Sequence, residues 1–191
     1  MIYEIVLDLD DVCNTFCTAA LGIQDYGVYP PACGWDIVQA ANRIHGTDMA
    51  RWEFWDSLDR DFWANIPPVP YLSELLTYLA RRVGNDNITI ATSPTLSPEC
   101  VAGKLEWIHR RLPLWIHRQY MIGTRKDRLA NPHALLIDDR RGNCDKFVAR
   151  GGQALLVHQP WNHTDSGDWN HITLLSLQAG LYKYFGERFE Y

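Results

Sequence analysis

The stretch Ile2-Tyr-Glu-Ile-Val-Leu-Asp8-Leu-Asp10-Asp11-Val12 begins the chain with an apolar run that ends in three acids. Ile5, Val6 and Leu7 have the continuous apolar character of a parallel strand covered on both faces. Open parallel sheets bind ligands at the carboxyl ends of their strands, which is where Asp8 and Asp10 stand. Two residues apart, they share a face in extended chain. Carboxylates held this close repel each other unless a cation bridges them or one keeps a proton. An isolated Asp-x-Asp is more often a solvated strand end than a site, so its meaning depends on what the rest of the chain brings beside it.

The bulk composition narrows the field. With 191 residues the chain is long enough for one well-packed domain with a small subdomain. It is 47% hydrophobic and 21% charged, ordinary for a globular protein. A formal net charge of −5 argues against non-specific binding to nucleic-acid polymers. No apolar run approaches the roughly 18 residues of a membrane span, and no basic segment precedes the first strand, so neither a membrane anchor nor a secretory signal is expected. Five scattered cysteines (13, 17, 33, 100 and 144) form no Cys-x-x-Cys pair. Cys13 and Cys17 have no further ligands nearby to complete a zinc site, so free buried thiols and a cytoplasmic location are expected. Eight tryptophans are unusual, and Trp35, Trp52, Trp55 and Trp63 crowd the first third beside Phe54 and Phe62. Most are expected to be core, with one or two free to stack on a flat ligand.

After the acidic turn, residues 12–26 read as a helix with Val12, Phe16, Ala19 and Ile23 on one face. Residues 35–45 and 48–64 also read as helices, with Asp36 as N-cap of the first and Thr47 or Asp48 of the second. Nothing between 12 and 66 alternates like a strand, so this is a helical insertion, ended by the stiff return Ile66-Pro-Pro-Val-Pro70. From Tyr71 the pattern is α/β: helix 71–83, strand 87–92, helix 98–111, a short strand 119–123, strand 134–137, helix 143–150, strand 153–157 and a last helix 172–184. Such alternation predicts a parallel five-stranded sheet with right-handed crossovers and helices on both faces. Three strands end in chemically unusual residues, Asp8/Asp10/Asp11, Thr92/Ser93 and Asp138/Asp139, and all three ends fall on one edge.

Two acidic strand ends brought together make an oxygen-rich pocket suited to a hard cation such as Mg2+ and unsuited to zinc. Hydroxyls and N–H groups at Thr92-Ser93 can hold an anion at the entry to the next helix. Lys126, after the weak third strand, completes the charge balance around a phosphate. The set reads as a phosphoryl-transfer site.

In order and spacing, Asp8-Leu-Asp10-Asp11-Val12, Thr92-Ser93, Lys126 and Ile137-Asp138-Asp139 resemble motifs I to IV of the haloacid dehalogenase (HAD) superfamily. Ala91-Thr-Ser-Pro94, Val101-Ala-Gly-Lys104-Leu-Glu-Trp107 and Leu135-Leu-Ile-Asp-Asp139 resemble more closely its 5′(3′)-deoxyribonucleotidases, as does the loop Gln159-Pro-Trp-Asn162, which recurs in bacterial and phage relatives. The resemblance implies a three-layer Rossmann-like core of residues 1–11 and 67–191 with a small helical cap of residues 12–66. It also implies Mg2+-dependent hydrolysis of nucleoside monophosphates through an aspartyl-phosphate. Asp8 would be the nucleophile and Asp10 the general acid and base. Asp8, the backbone carbonyl of Asp10, Asp138 and Asp139 would hold Mg2+, and Thr92, Ser93, Lys126 and Lys104 would meet the phosphate. The Lys126–Asp138 spacing is slightly longer than the family's, which leaves the main phosphate lysine open between Lys126 and Lys104. Phe62 and Trp63 precede the proline return where the family carries base-stacking aromatics; Trp63 can equally pack inside the cap, and Phe16, Trp52 and Trp55 are expected in the core. Asp11 replaces a common glycine, which a left-handed turn tolerates.

A small cap favours a small-molecule nucleotide over a polymer, and the sequence leaves a homodimer and the base preference open. Two other readings stand beside this one: a HAD phosphatase for another small phosphoester, such as a modified nucleotide or sugar phosphate, and a nucleotide-binding relative without turnover. The seven histidines form no ligand pair or triad, and glycine-rich phosphate loops are absent. Arg140, beside Asp139, is the one arginine of the paired sets placed to reach the site.

Overall fold

A computed structural model of the chain describes residues 1–163 and 167–191. Five parallel strands, β1 (Glu4–Asp8), β2 (Ile88–Thr92), β3 (Tyr120–Ile122), β4 (Ala134–Asp138) and β5 (Gln153–Leu156), form one sheet in the order β3-β2-β1-β4-β5. The first strand is therefore central, and the chain builds outward on one side before crossing to the other. Register aligns Asp8 with Ala91 and Leu7 with Ile137, which puts Thr92 one residue beyond Asp8 and Asp138 level with it. The expected convergence of strand ends is present.

Alternation along the strands supplies the two buried faces. Ile5, Leu7, Ile88, Ile90, Leu135 and Ile137 join the larger apolar core, together with Leu75 and Leu79 of the helix Leu72–Val83, Trp107 of the helix Pro98–Arg111 and Leu181 of the helix Trp169–Phe185. Val6, Ala91, Ala134 and Leu136 face the other way, onto Phe147 of the helix Arg141–Ala149. Burying an aliphatic or aromatic side chain of this size contributes about 1.5–3 kcal/mol, so both faces hold the central strand in place.

The helices are, in chain order, α1 (Phe16–Leu21), α2 (Ile37–His45), α3 (Arg51–Asp56), α4 (Arg60–Asn65), α5 (Leu72–Val83), α6 (Pro98–Arg111), α7 (Arg141–Ala149) and α8 (Trp169–Phe185). Three expectations in the insertion are corrected. The helix expected over 12–26 runs only from Phe16 to Leu21. The N–H groups of Cys13 and Asn14 both donate to the Leu9 carbonyl in a turn, Asn14 pairs with Pro68, and Gly22 takes the left-handed conformation that stops the helix. The helix expected over 48–64 is two helices, because Asp59 caps α4 by accepting the Phe62 N–H at 2.8 Å. Neither Thr47 nor Asp48 caps α3; Ala50 stands at its N-cap, and its N–H donates to the Glu53 carboxylate at 2.8 Å. The last two helices also start earlier than expected, at Arg141 and Trp169, the latter capped by Asp168.

The insertion leaves and returns at one point. The Thr15 N–H donates to the Pro67 carbonyl and the Val69 N–H to the Cys13 carbonyl, each at 3.0 Å. Trp107 on α6 donates its indole N–H to the Ile66 carbonyl at 2.7 Å. Above it α4 lies directly on α6 at Gly103, where a Cβ would sit 2.4 Å from the Trp63 Cβ and 2.6 Å from the Arg60 carbonyl oxygen. Gly103→Ala is therefore expected to push the two helices apart at a cost of about 1–3 kcal/mol. Chemical denaturation read by tryptophan fluorescence measures it; a variant as stable as the parent would show that α4 is free to shift.

Candidate active site

The ends of β1 and β4 bring three carboxyl groups together. Asp8, Asp138 and Asp139 are all buried, and each offers an oxygen within 4.8 Å of the others. Asp8 accepts the Leu9 N–H at 2.7 Å through Oδ1. Lys126 Nζ lies 2.6 Å from Asp8 Oδ1 and 2.7 Å from Asp138 Oδ2, joining the two strands. Asp138 also accepts the Arg140 N–H at 2.8 Å and Asn143 Nδ2 at 3.1 Å on each oxygen. Asp139 accepts the indole N–H of Trp161 at 2.7 Å.

Asp10 lies on the other side of the strand end. Its carboxylate forms an ion pair with Lys104, accepts Asn14 Nδ2 at 3.3 Å, and lies 3.5 Å from Thr92 Oγ1. Lys104 Nζ also donates to Thr92 Oγ1 and to the Ser93 carbonyl, both at 2.8 Å, and stands 4.9 Å above the Trp63 ring. The two acids of the opening motif thus have different lysines. Asp11, next along, has φ 58° and makes the left-handed turn that separates them from α1. Its buried carboxyl accepts the Cys17 N–H and the Tyr26 hydroxyl, each at 2.8 Å, so it closes the turn from within.

The electrostatics follow from burial. Desolvation, reinforced by Asp138, pushes Asp8 up to about 8 despite the opposing pull of Lys126. Burial raises Asp11 to about 7, against the hydrogen bonds from Cys17 and Tyr26. Burial, then Asp138 and Asp8, raise Asp139 well above the carboxylate range. Lys126 moves the opposite way: burial alone would lower it, but Asp8 and Asp138 outweigh that and keep it protonated. The cluster therefore holds more carboxyl groups than its lysines neutralise. An oxygen-only donor set with surplus negative charge suits a hard divalent cation such as Mg2+, and Asp8, Asp138 and Asp139 fit it.

A cavity of about 680 Å3 opens from these groups. Asp8, Asp10, Ser93, Lys104, Lys126 and Asp139 form its floor; Phe16, Trp35, Trp52, Trp55 and Trp63 form its walls. The Phe16 ring lies nearly parallel to both Trp63 (5.1 Å, 8°) and Trp55 (6.2 Å, 4°). Trp63 lines the cavity but is 2% exposed, its N–H donated to the Leu58 carbonyl. Phe62 stands behind it, edge-on to Phe16 and Trp63, and does not line the cavity. Trp52 reverses its expected place in the core: it is 66% exposed at the cavity wall.

The family model for 5′ nucleotidase, deoxy (pyrimidine), cytosolic type C protein (NT5C) matches residues 1–182. The chain belongs to this family. No curated protein matches it. Among solved structures, a HAD family hydrolase from Deinococcus radiodurans R1 with bound phosphate and sodium is 15% identical with a TM-score of 0.54, over 95% of this chain and 96% of that one. A variant of a HAD family enzyme from Bacteroides thetaiotaomicron, in complex with magnesium and inorganic phosphate, is 12% identical with a TM-score of 0.42, over 90% and 99%. The first likeness places this nucleotidase in the HAD fold, with an all-parallel sheet.

Several residues that shape the nucleotidase's site were not singled out from the sequence. Asn143 had no distinguishing signal, since its role comes from lying one turn into α7, under Asp138. Gln159 Nε2 donates to the Asp11 carbonyl at 2.9 Å and Asn162 Nδ2 to the Asp139 carbonyl at 2.6 Å; the recurrent Gln159–Asn162 loop was their only trace.

The raised acids predict the pH dependence of the metal-free enzyme. The folded state keeps protons on Asp8 and Asp11 that the unfolded chain releases near their ordinary value of 3.8, so stability falls as pH rises from about 4 to about 8. Asp8→Asn cannot ionise and is expected to be more stable than the parent at pH 8 without metal, by on the order of 1–3 kcal/mol. Urea unfolding in a chelator at several pH values tests this; parallel curves for parent and variant would refute it.

Proposed function

We propose that the enzyme hydrolyses deoxyribonucleoside monophosphates, pyrimidine nucleotides among them, to nucleoside and phosphate, using Mg2+ and an aspartyl-phosphate on Asp8. The observation that carries the reading is the separation of the two opening acids, Asp8 with Lys126 and Asp138, Asp10 with Lys104 and Thr92. Asp8, within the charge cluster, would serve phosphorus, and Asp10, on the Lys104 side of the same cavity floor, would serve proton transfer.

Asp8, Asp138 and Asp139 would hold the metal, together with the Asp10 carbonyl. Bound Mg2+ would supply the positive charge that keeps these acids ionised and offsets charge on the phosphoryl oxygens. The Asp8 carboxylate attacks phosphorus as the bond from phosphorus to the nucleoside oxygen breaks, and Asp10, which takes up a proton with the substrate as Lys104 turns from it to the phosphate, gives that proton to the nucleoside oxygen. Asp10, now a carboxylate, takes a proton from water; the water oxygen attacks phosphorus, phosphate leaves, and Asp8 is restored. Lys126 neutralises the transferring group, while Thr92, Ser93 and Lys104 orient it from the β2 side. In this reading residues 12–66 act as a cap over the core of 1–11 and 67–191, and the nucleoside lies between the Trp52 and Trp55 walls and the floor. Every residue given a role comes from one chain. Five buried, unpaired cysteines accord with a cytoplasmic setting.

Phosphate release across all deoxyribo- and ribonucleoside monophosphates and a set of sugar phosphates, with and without Mg2+, tests the proposal. Deoxynucleotides are expected to be preferred and turnover to require the metal. Asp8→Asn is expected to lower kcat by about 10^3-fold or more. Equal rates on all phosphoesters would instead favour a general small-molecule phosphatase, and full activity in Asp8→Asn would end the mechanism.

A further inference from the structure

Trp161 is a buried tryptophan with one polar atom, and that atom is spent on the acidic cluster. Its indole Nε1–H donates to Asp139 Oδ2 at 2.7 Å. The ring itself is clamped by three rings of the insertion: Tyr29 and Tyr26 meet it edge-on at 5.1 and 5.8 Å, and Trp35 stacks on it at 5.9 Å and 25°. Arg140, the residue after Asp139, lies 4.7 Å over the far partner of that stack, Trp35. Asn162, the residue after Trp161, fixes the Asp139 backbone through its carbonyl at 2.6 Å and the β5 exit through the Val157 carbonyl at 2.8 Å. Backbone and carboxyl of Asp139 are thus both held by the loop after β5.

Asp139 is the acid most in need of such support. Asp8 and Asp138 share a lysine, whereas the carboxyl of Asp139 has no ion pair among the described residues. A neutral N–H is a donor that stabilises a carboxylate without competing as a cation for its place. We propose that Trp161 is a positioning residue: by holding Asp139 Oδ2 it orients the other oxygen for the divalent cation and sets the cation's affinity. The proposal rests on the reading of Asp8, Asp138 and Asp139 as the Mg2+ ligands. Groups that hold a ligand from behind typically change metal affinity by about 10- to 100-fold when removed. A merely packed Trp161 would leave the affinity alone.

Trp35 provides the control within the same stack, because its indole N–H is buried without a partner. Trp161→Phe removes the hydrogen bond and Trp35→Phe does not, while both trim one ring of the same pair. Mg2+ titrated calorimetrically into the metal-free chain is expected to bind about 10- to 100-fold more weakly to Trp161→Phe and with parental affinity to Trp35→Phe. In an Asp139→Asn background, Trp161→Phe is expected to cause no further loss. Thermal unfolding without metal is recorded alongside. Should Trp161→Phe not keep the fold, Trp161→His, which retains a ring N–H, is expected to bind Mg2+ about 10-fold or more tightly than Trp161→Leu. Parental affinity in Trp161→Phe, or equal loss in Trp35→Phe, overturns the role of Trp161 while leaving the metal reading intact. No Mg2+ binding by the parent protein overturns both.

Discussion

Three carboxyl groups buried at the ends of two adjacent parallel strands are the constraint around which the rest of the molecule is arranged. Removing an ionised carboxylate from water costs several kcal/mol even after relaxation, and here Asp8, Asp138 and Asp139 face each other with one lysine shared between two of them. Such a cluster persists only where surrounding structure compels it. The compulsion comes from the sheet: Leu7 and Ile137 are locked in register and wholly buried, so the residues that follow them emerge side by side. The same stress makes the site receptive. A cation entering it relieves repulsion already stored in the fold, and a phosphoryl group gains from donors already in place.

Each long excursion of the chain supplies something to this cluster or to the acidic turn beside it. The insertion brings Tyr26 to the Asp11 carboxyl and Trp35 to the ring of Trp161. The loop after β5 brings Gln159 to the Asp11 carbonyl, Trp161 to Asp139 and Asn162 to the peptide behind it. Helix α6 does double duty, carrying Lys104 to Asp10 and Gly103 to the underside of α4. The close contact at Gly103 fixes Trp63 beside Lys104, so the wall of the cavity and its floor are set by the same turn of helix.

What was legible in the sequence is what is governed by local pattern. β1, β2 and β4 show as apolar runs because both faces of the sheet are covered, and α5 and α6 show through their periodicity. The acids at the strand ends, with Thr92 and Lys126, were identifiable because three strand ends on one edge carry such residues together, and Lys104 through the family resemblance of residues 101–107. The strand order was not, since nothing in β4 states that it pairs with β1 instead of β3. In the insertion, helix ends are set by partners distant in sequence, as when Pro68 holds Asn14 out of α1, so periodicity overran them. Trp52 shows the same limit from another side: its apolar character suits core and cavity wall equally, and only tertiary structure decides between them.

In the proposed mechanism Asp8 and Asp10, two residues apart, do different work because different lysines and strands hold them. The most direct measurement is to quench the enzyme with acid during turnover of a nucleotide labelled in its phosphate. Borohydride then reduces any acyl-phosphate to homoserine, and peptide mapping locates it. Homoserine is expected at position 8 and none at position 10. Modification at position 10, or no acyl-phosphate at any time while phosphate is being released, would contradict it.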